Sequence, residues 1–323
     1  MDTMDNPIIN VSKHSISEIF EKVLRLSVAD GDASPKTTKS YREGLTNFLL
    51  WCKTNNLEPM TMTYEHIQGY RNCLASKYKR STISLRLTAV RLLFKAMQRM
   101  GKRTDNPADG IRSPKDKESS CSKVLDKALS QQEATIFLKS LPFSYSPIIA
   151  RDKAIIYLMI FHGLRAGEIA NIEINHLDAD SFSVIHIKGK GEKFRTIILS
   201  PITRHALLEW NKLRVVYLSK MFHNKLFFNL NNHILSGLTV RSIERVVDYY
   251  LAKSNLKKYG RSAHALRHTH AVLAVLGGAN REVLAEEMGH VNTRTTDTYL
   301  RAASQWQENP SKCIDNLLAQ QTL

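Results

Sequence analysis

The sequence is short of acidic residues for its length, and this deficit limits the partners that the protein can have. Its 323 residues include 46 Lys and Arg but only 30 Asp and Glu, which leaves a formal net charge of +16. Such an excess of positive charge favours an anionic partner, and nucleic acid is expected ahead of a membrane surface.

A long hydrophobic run is also missing. The longest apolar stretch, AIIYLMIF at 154–161, is far too short to span a bilayer. The first residues, MDTMDNPIINVSKHS, have neither the basic start nor the apolar stretch of a signal peptide, and we find no lipidation signal. The sequence therefore predicts a cytoplasmic, DNA-associated protein with no membrane partner.

Cysteine is scarce, and the four that are present are scattered: Cys52, Cys73, Cys121 and Cys313. Their spacing is neither paired nor that of metal ligands, which is typical of reduced thiols in the cytoplasm. His264 and His268 are four residues apart, as in some zinc sites, but no nearby acid or cysteine completes a ligand set. We therefore expect neither a metal ion nor another cofactor.

The length and a hydrophobic content of 43% indicate a folded protein with two domains. Residues 1–33 form a polar extension with one amphipathic helix, and residues 34–105 have a consistently helical pattern. The stretch 106–126 has Pro, Gly, Ser and charges without periodicity, which is typical of a linker. Residues 127–323 form the second domain.

The second domain is predicted to be mainly α-helical with one small β-hairpin. It opens with Ser130 and Glu133, which form a capping-box pattern before an apolar run. The segments SFSVIHI and FRTIILS alternate and are β-branched, and the glycines in the intervening KGKGEK indicate a hairpin. Helical patterns follow in RHALLEWNKLRVVYL, RSIERVVDYYLAKS, HALRHTHAVLAVLG, NREVLAEEMG and TTDTYLRAAS.

The third helix of the first domain, at about 81–100, has two different faces. One is apolar and is expected to be buried, because these residues recur at spacings of three and four: Ile83, Leu87, Val90, Phe94 and Met97. Around it, nine Lys or Arg and no acidic residue lie between Lys77 and Arg103. A merely solvated face usually mixes both signs, so we interpret the basic face as a phosphate-tracking surface, formed by Lys77, Lys79, Arg80, Arg86, Arg91, Lys95 and Arg99.

Four further segments carry residues that suit one chemical task. They supply Arg165 and Glu168 in GLRAGE, Lys190 in KGKGEK, His264 and Arg267 in HALRH, and His290 with Tyr299 in GHVNTRTTDTYLRA. Guanidinium groups bind the oxygens of a phosphodiester in bidentate fashion. A tyrosine hydroxyl, with a pKa near 10, needs a base such as histidine, and a lysine can protonate a departing oxygen. Each pattern alone is usually packing or solvation; their joint occurrence indicates attack on a phosphodiester.

In order and approximate spacing these motifs resemble the tyrosine recombinase (phage integrase) family, and most of all its compact Xer- and Cre-type members. The resemblance covers about 127–303 by motif and the preceding helices by pattern. It implies a site-specific recombinase that cuts and rejoins duplex DNA through a 3′-phosphotyrosyl intermediate, without ATP. It also implies a two-domain DNA clamp: a helical core-binding domain and a catalytic domain.

The resemblance implies a role for each motif residue. Arg165 and Arg267 would clamp the scissile phosphate, and Lys190 would be the general acid, with Lys188 and Lys193 as competitors at that loop. His264 would accept the proton of the nucleophile Tyr299, His290 would donate to the phosphate, and Glu168 would support the site. His268 and His270 are left as packing or capping residues.

The family's partners are implied in the same way: duplex DNA with short inverted-repeat sites, and self-assembly to a tetramer in the synapse, with or without a partner recombinase. Two other functions fit parts of the sequence. REVLAEEMGHVNTRTTDTYLRA resembles a helix-turn-helix, as in a regulator without catalysis. A tyrosine-dependent topoisomerase shares the phosphate chemistry but relaxes supercoils without a defined site.

The tail, SKCIDNLLAQQTL, has one apolar stripe formed by Ile314, Leu317 and Leu318. A helix of about two turns does not hold its structure alone, so the stripe must be buried against something. The sequence leaves two surfaces open. One is the tail's own catalytic domain; the other, suggested by the resemblance, is a neighbouring protomer in a cyclic assembly on DNA.

Overall fold

A computed structural model describes the protein at residues 18, 20–21, 35–115, 120–143, 146–178, 181–189, 194–218, 224–230, 236–290 and 294–307. The chain divides into two compact units, Met1–Lys117 and Glu118–Leu323, called here the N-terminal unit and the catalytic unit. Along the described ranges, no helix is long and apolar enough to cross a membrane.

The N-terminal unit is helical. Its helices are α1 (Pro35–Thr54), α2 (Tyr64–Ala75) and α3 (Arg80–Arg99), with a short 3-10 turn at Pro59–Thr61 between the first two. α1 packs along α3, and the core between the helices holds an aromatic cluster. The ring of Phe48 contacts Tyr70 and Phe94 edge-on, with centroids 5.1 and 6.0 Å apart.

The predicted apolar face of α3 is confirmed. Ile83, Leu87, Val90, Phe94 and Met97 are all at most 2% exposed. Because these positions recur every three to four residues, one stripe of the helix enters the core and the remaining positions stay outside. The sequence pattern alone therefore orients α3 and decides which of its side chains lie on the surface of the unit.

The catalytic unit is mainly α-helical with one two-stranded antiparallel sheet. Its elements, in order, are α4 (Ser120–Lys127), α5 (Gln131–Ser140), α6 (Pro147–His162), α7 (Ala166–Asn171), β1 (Val184–Lys188), β2 (Phe194–Ile198), α8 (Pro201–Leu218), α9 (Val240–Lys253), α10 (Ala263–Leu276), α11 (Arg281–Met288) and α12 (Arg294–Gln307). The predicted hairpin and the five helical segments that follow it are confirmed, with ends within a few residues of the pattern.

Helix α6 is the centre of the catalytic unit. It is apolar around most of its circumference, as expected for a helix covered on several sides. α8 and α10 pack on it, and α12 and α4 form a second layer beyond α10. The capping box predicted at the start of α5 is present: Ser130 Oγ accepts from the Glu133 N–H, and Glu133 Oε2 accepts from the Ser130 N–H, each at 3.1 Å.

One part of the predicted linker 106–126 has a regular structure. Ser120–Lys127 forms α4, which packs against α12 through the buried side chains of Cys121 and Val124. Eight residues with one apolar pair give too weak a periodicity to be recognised, and the helix is stabilised by tertiary packing. Lys190, Lys193 and the tail with its apolar stripe lie outside the described residues.

Candidate functional site

The first site segment, GLRAGE, is a helix end followed immediately by a helix start. Gly163 ends α6 in the left-handed conformation (φ 61°), and Arg165 is the N-cap of α7. A Cβ at Gly163 would lie 2.6 Å from the ring of His270, so only glycine allows this close approach. The turn directs Arg165 outwards, and its side chain remains 42% exposed.

Glu168 fixes the position of Arg165. Its Oε2 accepts from the Arg165 backbone N–H and its Oε1 from Arg165 Nη1, both at 2.8 Å. Burial of the carboxyl raises its pKa, but the hydrogen bonds and charges of Arg195 and Arg165 outweigh burial and leave the pKa lowered. Glu168 is therefore ionised at neutral pH, and its carboxylate is held between two guanidinium groups.

The second of these guanidinium groups, Arg195 on β2, is a residue that sequence reasoning did not single out. Its Nη1 and Nη2 contact the two oxygens of Glu168 at 3.1 and 3.0 Å, and its Nε donates to the Glu287 carbonyl at 2.7 Å. A signal was present in the sequence: Arg195 is on the inward face of the hairpin, opposite the buried Ile187. An inward-facing charge on a small sheet needs a buried partner.

Arg267 on α10 is the most buried of the predicted site residues, at 1% exposure. Its Nη1 donates to the Gly163 carbonyl and its Nη2 to the Met288 carbonyl, the latter at 2.7 Å. These bonds join the ends of α6 and α11 to α10. Burial, with the nearby charge of Arg165, lowers the pKa of Arg267 to about 10, so it stays a cation at neutral pH. The two bonds use two of its five N–H groups.

The histidines of HALRH lie one turn apart on α10. The rings of His264 and His268 meet edge-on, with centroids 4.6 Å apart. Burial lowers the pKa of both, and that of His268 falls to about 3; positive charges nearby, among them Lys127 and Arg267, act in the same direction. Both rings are therefore neutral at pH 7.

Tyr299 on α12 faces α10 and is 3% exposed. Its hydroxyl lies 3.0 Å from His268 Nδ1. Burial raises the pKa of Tyr299, and the charges of Arg267 and then Arg165 act against burial. The tyrosine is therefore close enough to both arginines for their fields to favour its anion, although it stays protonated at neutral pH.

His290 follows Gly289, the left-handed C-cap of α11 (φ 61°). Its Nδ1 lies 2.9 Å from Thr296 Oγ1, and its ring is nearly parallel to that of Tyr299, with centroids 6.0 Å apart. Burial and the charges of Arg267 and Arg165 lower its pKa to about 4. Glycine suits this left-handed position, and an added Cβ would lie 2.9 Å from Arg195 Nη1.

The structure thus brings Arg165, Glu168, Arg267, His264, His290 and Tyr299 into one connected cluster. Lys190 is outside the described residues, and its competitor Lys188 is an exposed residue at the end of β1. His270, expected to be a packing residue, lies buried beneath Gly163. His268, which was expected to pack or cap, is instead the residue at the tyrosine hydroxyl.

The cations predicted to track phosphates are on α3 and the turn before it. Five are exposed, Lys77, Lys79, Arg80, Lys95 and Arg99, and two are half-buried, Arg86 and Arg91. Arg86 is engaged within the unit: its Nη1 donates to Asn47 Oδ1 at 3.0 Å, and its guanidinium lies 3.8 Å over the ring of Tyr78.

Two other interpretations of the sequence were tested against the geometry. Within the part of the chain that the structure describes, no group of three His, Cys, Asp or Glu residues could hold a metal ion. α11 and α12 do follow one another, as in a helix-turn-helix. The inner face of the second helix carries Tyr299, Ala302 and Ala303, which are buried in the layer formed with α10 and α4.

Comparison with known proteins gives the class. The phage integrase family model matches residues 127–305, and the model of the phage integrase N-terminal SAM-like domain matches residues 12–100. With the cluster around Tyr299, these matches define a tyrosine recombinase, an enzyme that cuts and rejoins DNA at specific sites. The chain belongs to the phage integrase family.

Individual relatives agree with this assignment. The chain is 27% identical over 299 residues to the tyrosine recombinase XerC of Myxococcus xanthus, covering 91% of this chain and 95% of that protein. It is 27% identical over 274 residues to XerD of Haemophilus influenzae, covering 84% and 89%. Its fold is similar to that of the XerH site-specific recombinase bound to a palindromic difH substrate, with a TM-score of 0.70, 22% identity, and 91% and 85% of the two chains covered.

Proposed function

We propose that Tyr299 is the nucleophile that joins this protein to DNA. Its oxygen attacks the scissile phosphorus, a bond from the tyrosine oxygen to phosphorus forms, and the bond to the 5′ oxygen breaks. The hydroxyl proton leaves to a base, and the departing 5′ oxygen gains a proton. The observation that supports this most is the single cluster in which Tyr299 lies with two arginines and three histidines. Attack by the freed 5′ hydroxyl of another strand reverses the step and completes strand exchange.

The other site residues are proposed to act on the charge and protons of this step. Arg165 and Arg267 would bind the non-bridging oxygens, where negative charge grows during attack. His290, placed against the tyrosine ring, would donate to the same phosphate. His264 would accept the tyrosine proton; its neutral ring at pH 7 has the capacity to do so, and it is one ring away from the hydroxyl, against His268.

A trapped covalent complex tests the assignment of the nucleophile. On a nicked duplex the 5′ fragment diffuses away after cleavage, so that religation fails and the adduct accumulates. We expect a complex stable to SDS, and mass spectrometry of its tryptic peptides should find the nucleotide on Tyr299. A nucleotide on the exposed Tyr249 or Tyr259 instead would overturn the proposal.

Lys190 is proposed as the general acid for the 5′ oxygen. A substrate whose bridging 5′ oxygen is replaced by sulfur has a leaving group that needs no proton. Lys190→Ala should therefore be slow on the ordinary substrate and recover on the sulfur substrate. Lys188→Ala and Lys193→Ala are the matched controls: recovery by either of these, and not by Lys190→Ala, would move the role to that lysine.

The partners are proposed from family membership and charge. Duplex DNA with short inverted repeats would bind, and four protomers would assemble in the synapse, with or without a partner recombinase. We propose that the tail stripe of Ile314, Leu317 and Leu318 docks on a neighbouring protomer. Deletion after Gln307 should then leave half-site binding nearly intact but abolish cooperative filling of the full site. Loss of half-site binding with a lower unfolding temperature would place the tail in its own core.

A further inference from the structure

His268 has no part in the chemistry proposed above, yet it is the described side chain at the reacting oxygen. Its Nδ1 lies 3.0 Å from the hydroxyl of Tyr299, and the two ring centroids are 5.7 Å apart. His264, the proposed proton acceptor, packs edge-on against the ring of His268, with the two centroids 4.6 Å apart. The histidine next to Arg267 in the chain is thus the one that contacts the tyrosine oxygen.

The surroundings of His268 argue against its use as a base. Burial lowers its pKa to about 3, and His264, Lys127 and Arg267 act in the same direction. Burial also raises the pKa of Tyr299. Because of both changes, transfer of the proton from the Tyr299 hydroxyl to the His268 ring is less favourable in the protein than it is between the same two groups in water. The same changes keep both partners neutral, so the hydrogen bond persists over the whole physiological pH range.

We propose that His268 is a positioning residue for the recombination reaction: its Nδ1 holds the Tyr299 hydroxyl in place beside the arginine pair. This inference rests on the proposed function, in which Tyr299 is the nucleophile. The hydrogen bond is a direct polar tie between α10, which carries Arg267, and α12, which carries Tyr299. Helix α10 therefore positions both the clamp residue Arg267 and, through His268, the hydroxyl of Tyr299.

The expected size of the effect follows from the geometry of attack. A tyrosine ring turns about two side-chain torsions, and a misplacement of its oxygen by about 1 Å can cost roughly 10²-fold in rate. His290 limits the ring from one side, since the two planes are within 10° of parallel. It does not contact the hydroxyl in this arrangement, so the direction of the oxygen depends on His268.

Three substitutions separate a hydrogen bond from proton transfer and from packing. Asparagine places its amide close to the position of Nδ1, where it can bond the hydroxyl but cannot take a proton. Glutamine places its amide near the position of Nε2, away from the hydroxyl. Alanine removes both. We expect His268→Ala and His268→Gln to lower single-turnover cleavage at saturating DNA by roughly 10–10²-fold with unchanged DNA affinity, and His268→Asn to recover most of the rate.

The pattern of rates decides among the roles. An Asn variant as slow as the Ala variant would mean that the ring accepts the proton, and the positioning role would be overturned. Cleavage at the wild-type rate by all three variants would also overturn it. Loss of rate that parallels a lower unfolding temperature in all three would assign His268 to packing. The pH profile of the Asn variant should match that of the wild type.

A measurement without DNA keeps this inference separate from the proposed function. With tyrosine labelled at the ¹³Cζ position, the Tyr299 resonance is identified by its absence in Tyr299→Phe, and its chemical shift reports the state of the hydroxyl. The resonance should move in His268→Ala and His268→Gln but little in His268→Asn. An unmoved resonance in the Ala variant would refute the hydrogen bond, whereas absence of any DNA adduct in the wild type would refute the nucleophile and leave this result intact.

Discussion

The cations along α3 of the N-terminal unit and two arginines of the catalytic unit are placed in opposite ways. On α3 of the N-terminal unit the cations surround a buried apolar stripe and are mostly exposed. In the catalytic unit, Arg267 and Arg195 are directed inwards and bonded to carbonyls and to Glu168. The first arrangement leaves most of these cations in contact with solvent, and the second fixes the direction of the N–H groups that make these bonds.

This difference separates affinity from rate. Exposed cations gain affinity by releasing counterions from DNA, largely regardless of their exact direction. Fixed donors stabilise a transition state, because they already point to where charge develops and need no reorganisation. A substitution in the N-terminal unit should therefore change how much DNA binds, and one in the catalytic unit should change how fast bound DNA is cut.

The largest effect is expected at the nucleophile. Tyr299→Phe removes the oxygen that bonds to phosphorus, so covalent adduct should fall below detection while DNA binding is retained. Tyr249→Phe is the matched control, because Tyr249 is 58% exposed on α9 and has no part in the cluster. Denaturing gels measure the adduct and gel shifts measure binding. If the Tyr299→Phe variant still formed an adduct, the nucleophile would be another residue. The separation of affinity from rate between the two units would then lose its main support.

The two clamp arginines should share an effect on rate and differ in stability. Each Arg→Ala variant should lose roughly 10²–10³ in cleavage rate, as when one oxyanion contact is removed. Arg267→Ala also removes the Arg267 donor from the Gly163 carbonyl, at a cost of about 1–3 kcal/mol, and leaves the Met288 carbonyl with Arg165 Nη1 at 3.4 Å. Arg165→Ala should unfold at nearly the wild-type temperature, because its side chain is 42% exposed.

Single-turnover cleavage at saturating DNA and thermal unfolding measure the two quantities separately. Normal cleavage combined with weak binding in either variant would contradict the clamp role. Arg267, but not Arg165, is assigned a structural role. Equal unfolding temperatures for Arg165→Ala and Arg267→Ala would contradict that assignment.

Stability should depend on pH in the catalytic unit more than in the N-terminal unit. Burial lowers the pKa of His268 to about 3 and of His270 and His290 to about 4, while unfolded histidine titrates near 6.5. Below 6.5 the unfolded chain takes up protons that the folded unit does not, so the free energy of unfolding falls as pH falls from about 6.5 towards 4. Above 6.5 these groups contribute no slope.

Hydrogen exchange with mass spectrometry, corrected for intrinsic exchange at each pH, reports both units in one sample. Amides of α6 should lose protection between pH 6.5 and 5 more than amides of α3 do. The loss of ionised Glu168 acts in the same direction but at lower pH, since its pKa is lowered. Equal losses in both units would show that the buried histidines do not set the slope.

How far the sequence determines this site depends on how local each signal is. The face of α3 and the hairpin each follow from spacings within one segment, and both were predicted. Which residue meets the tyrosine oxygen depends on the packing of α12 on α10, so periodicity could not separate His268 from His264. One turn along a helix keeps both on the same face.

Arg195 and α4 were missed for the same physical reason. Arg195 on β2 finds Glu168 across 27 positions of the chain, and α4 is helical because it packs on α12 about 180 residues later. Neither partner is visible in a local window. The sequence does contain a signal for Arg195, which is a charge on the inward face of the predicted hairpin. The eight residues of α4 contain almost no such signal.

The smallest expected effect is also the most direct test of the contrast between the units, because it compares two cations of the same helix. Lys95 is exposed on α3, and Arg86 is half-buried, bonded to Asn47 and stacked on Tyr78. If exposed charge sets affinity, Lys95→Ala should reduce the slope of log K against log salt by about one, with unchanged cleavage of saturated DNA.

Arg86→Ala should act differently, because part of its guanidinium is already engaged inside the unit. Removal takes one donor from Asn47 Oδ1, which keeps the Tyr70 hydroxyl at 2.9 Å, and uncovers the ring of Tyr78. We expect a lower unfolding temperature of the N-terminal unit and a slope change smaller than that for Lys95→Ala. Binding titrations at several salt concentrations measure the slopes. Equal slope changes for the two variants would mean that Arg86 leaves Asn47 and Tyr78 to reach a phosphate when DNA binds, and that hydrogen bonds within the unit do not determine which cations of α3 bind DNA.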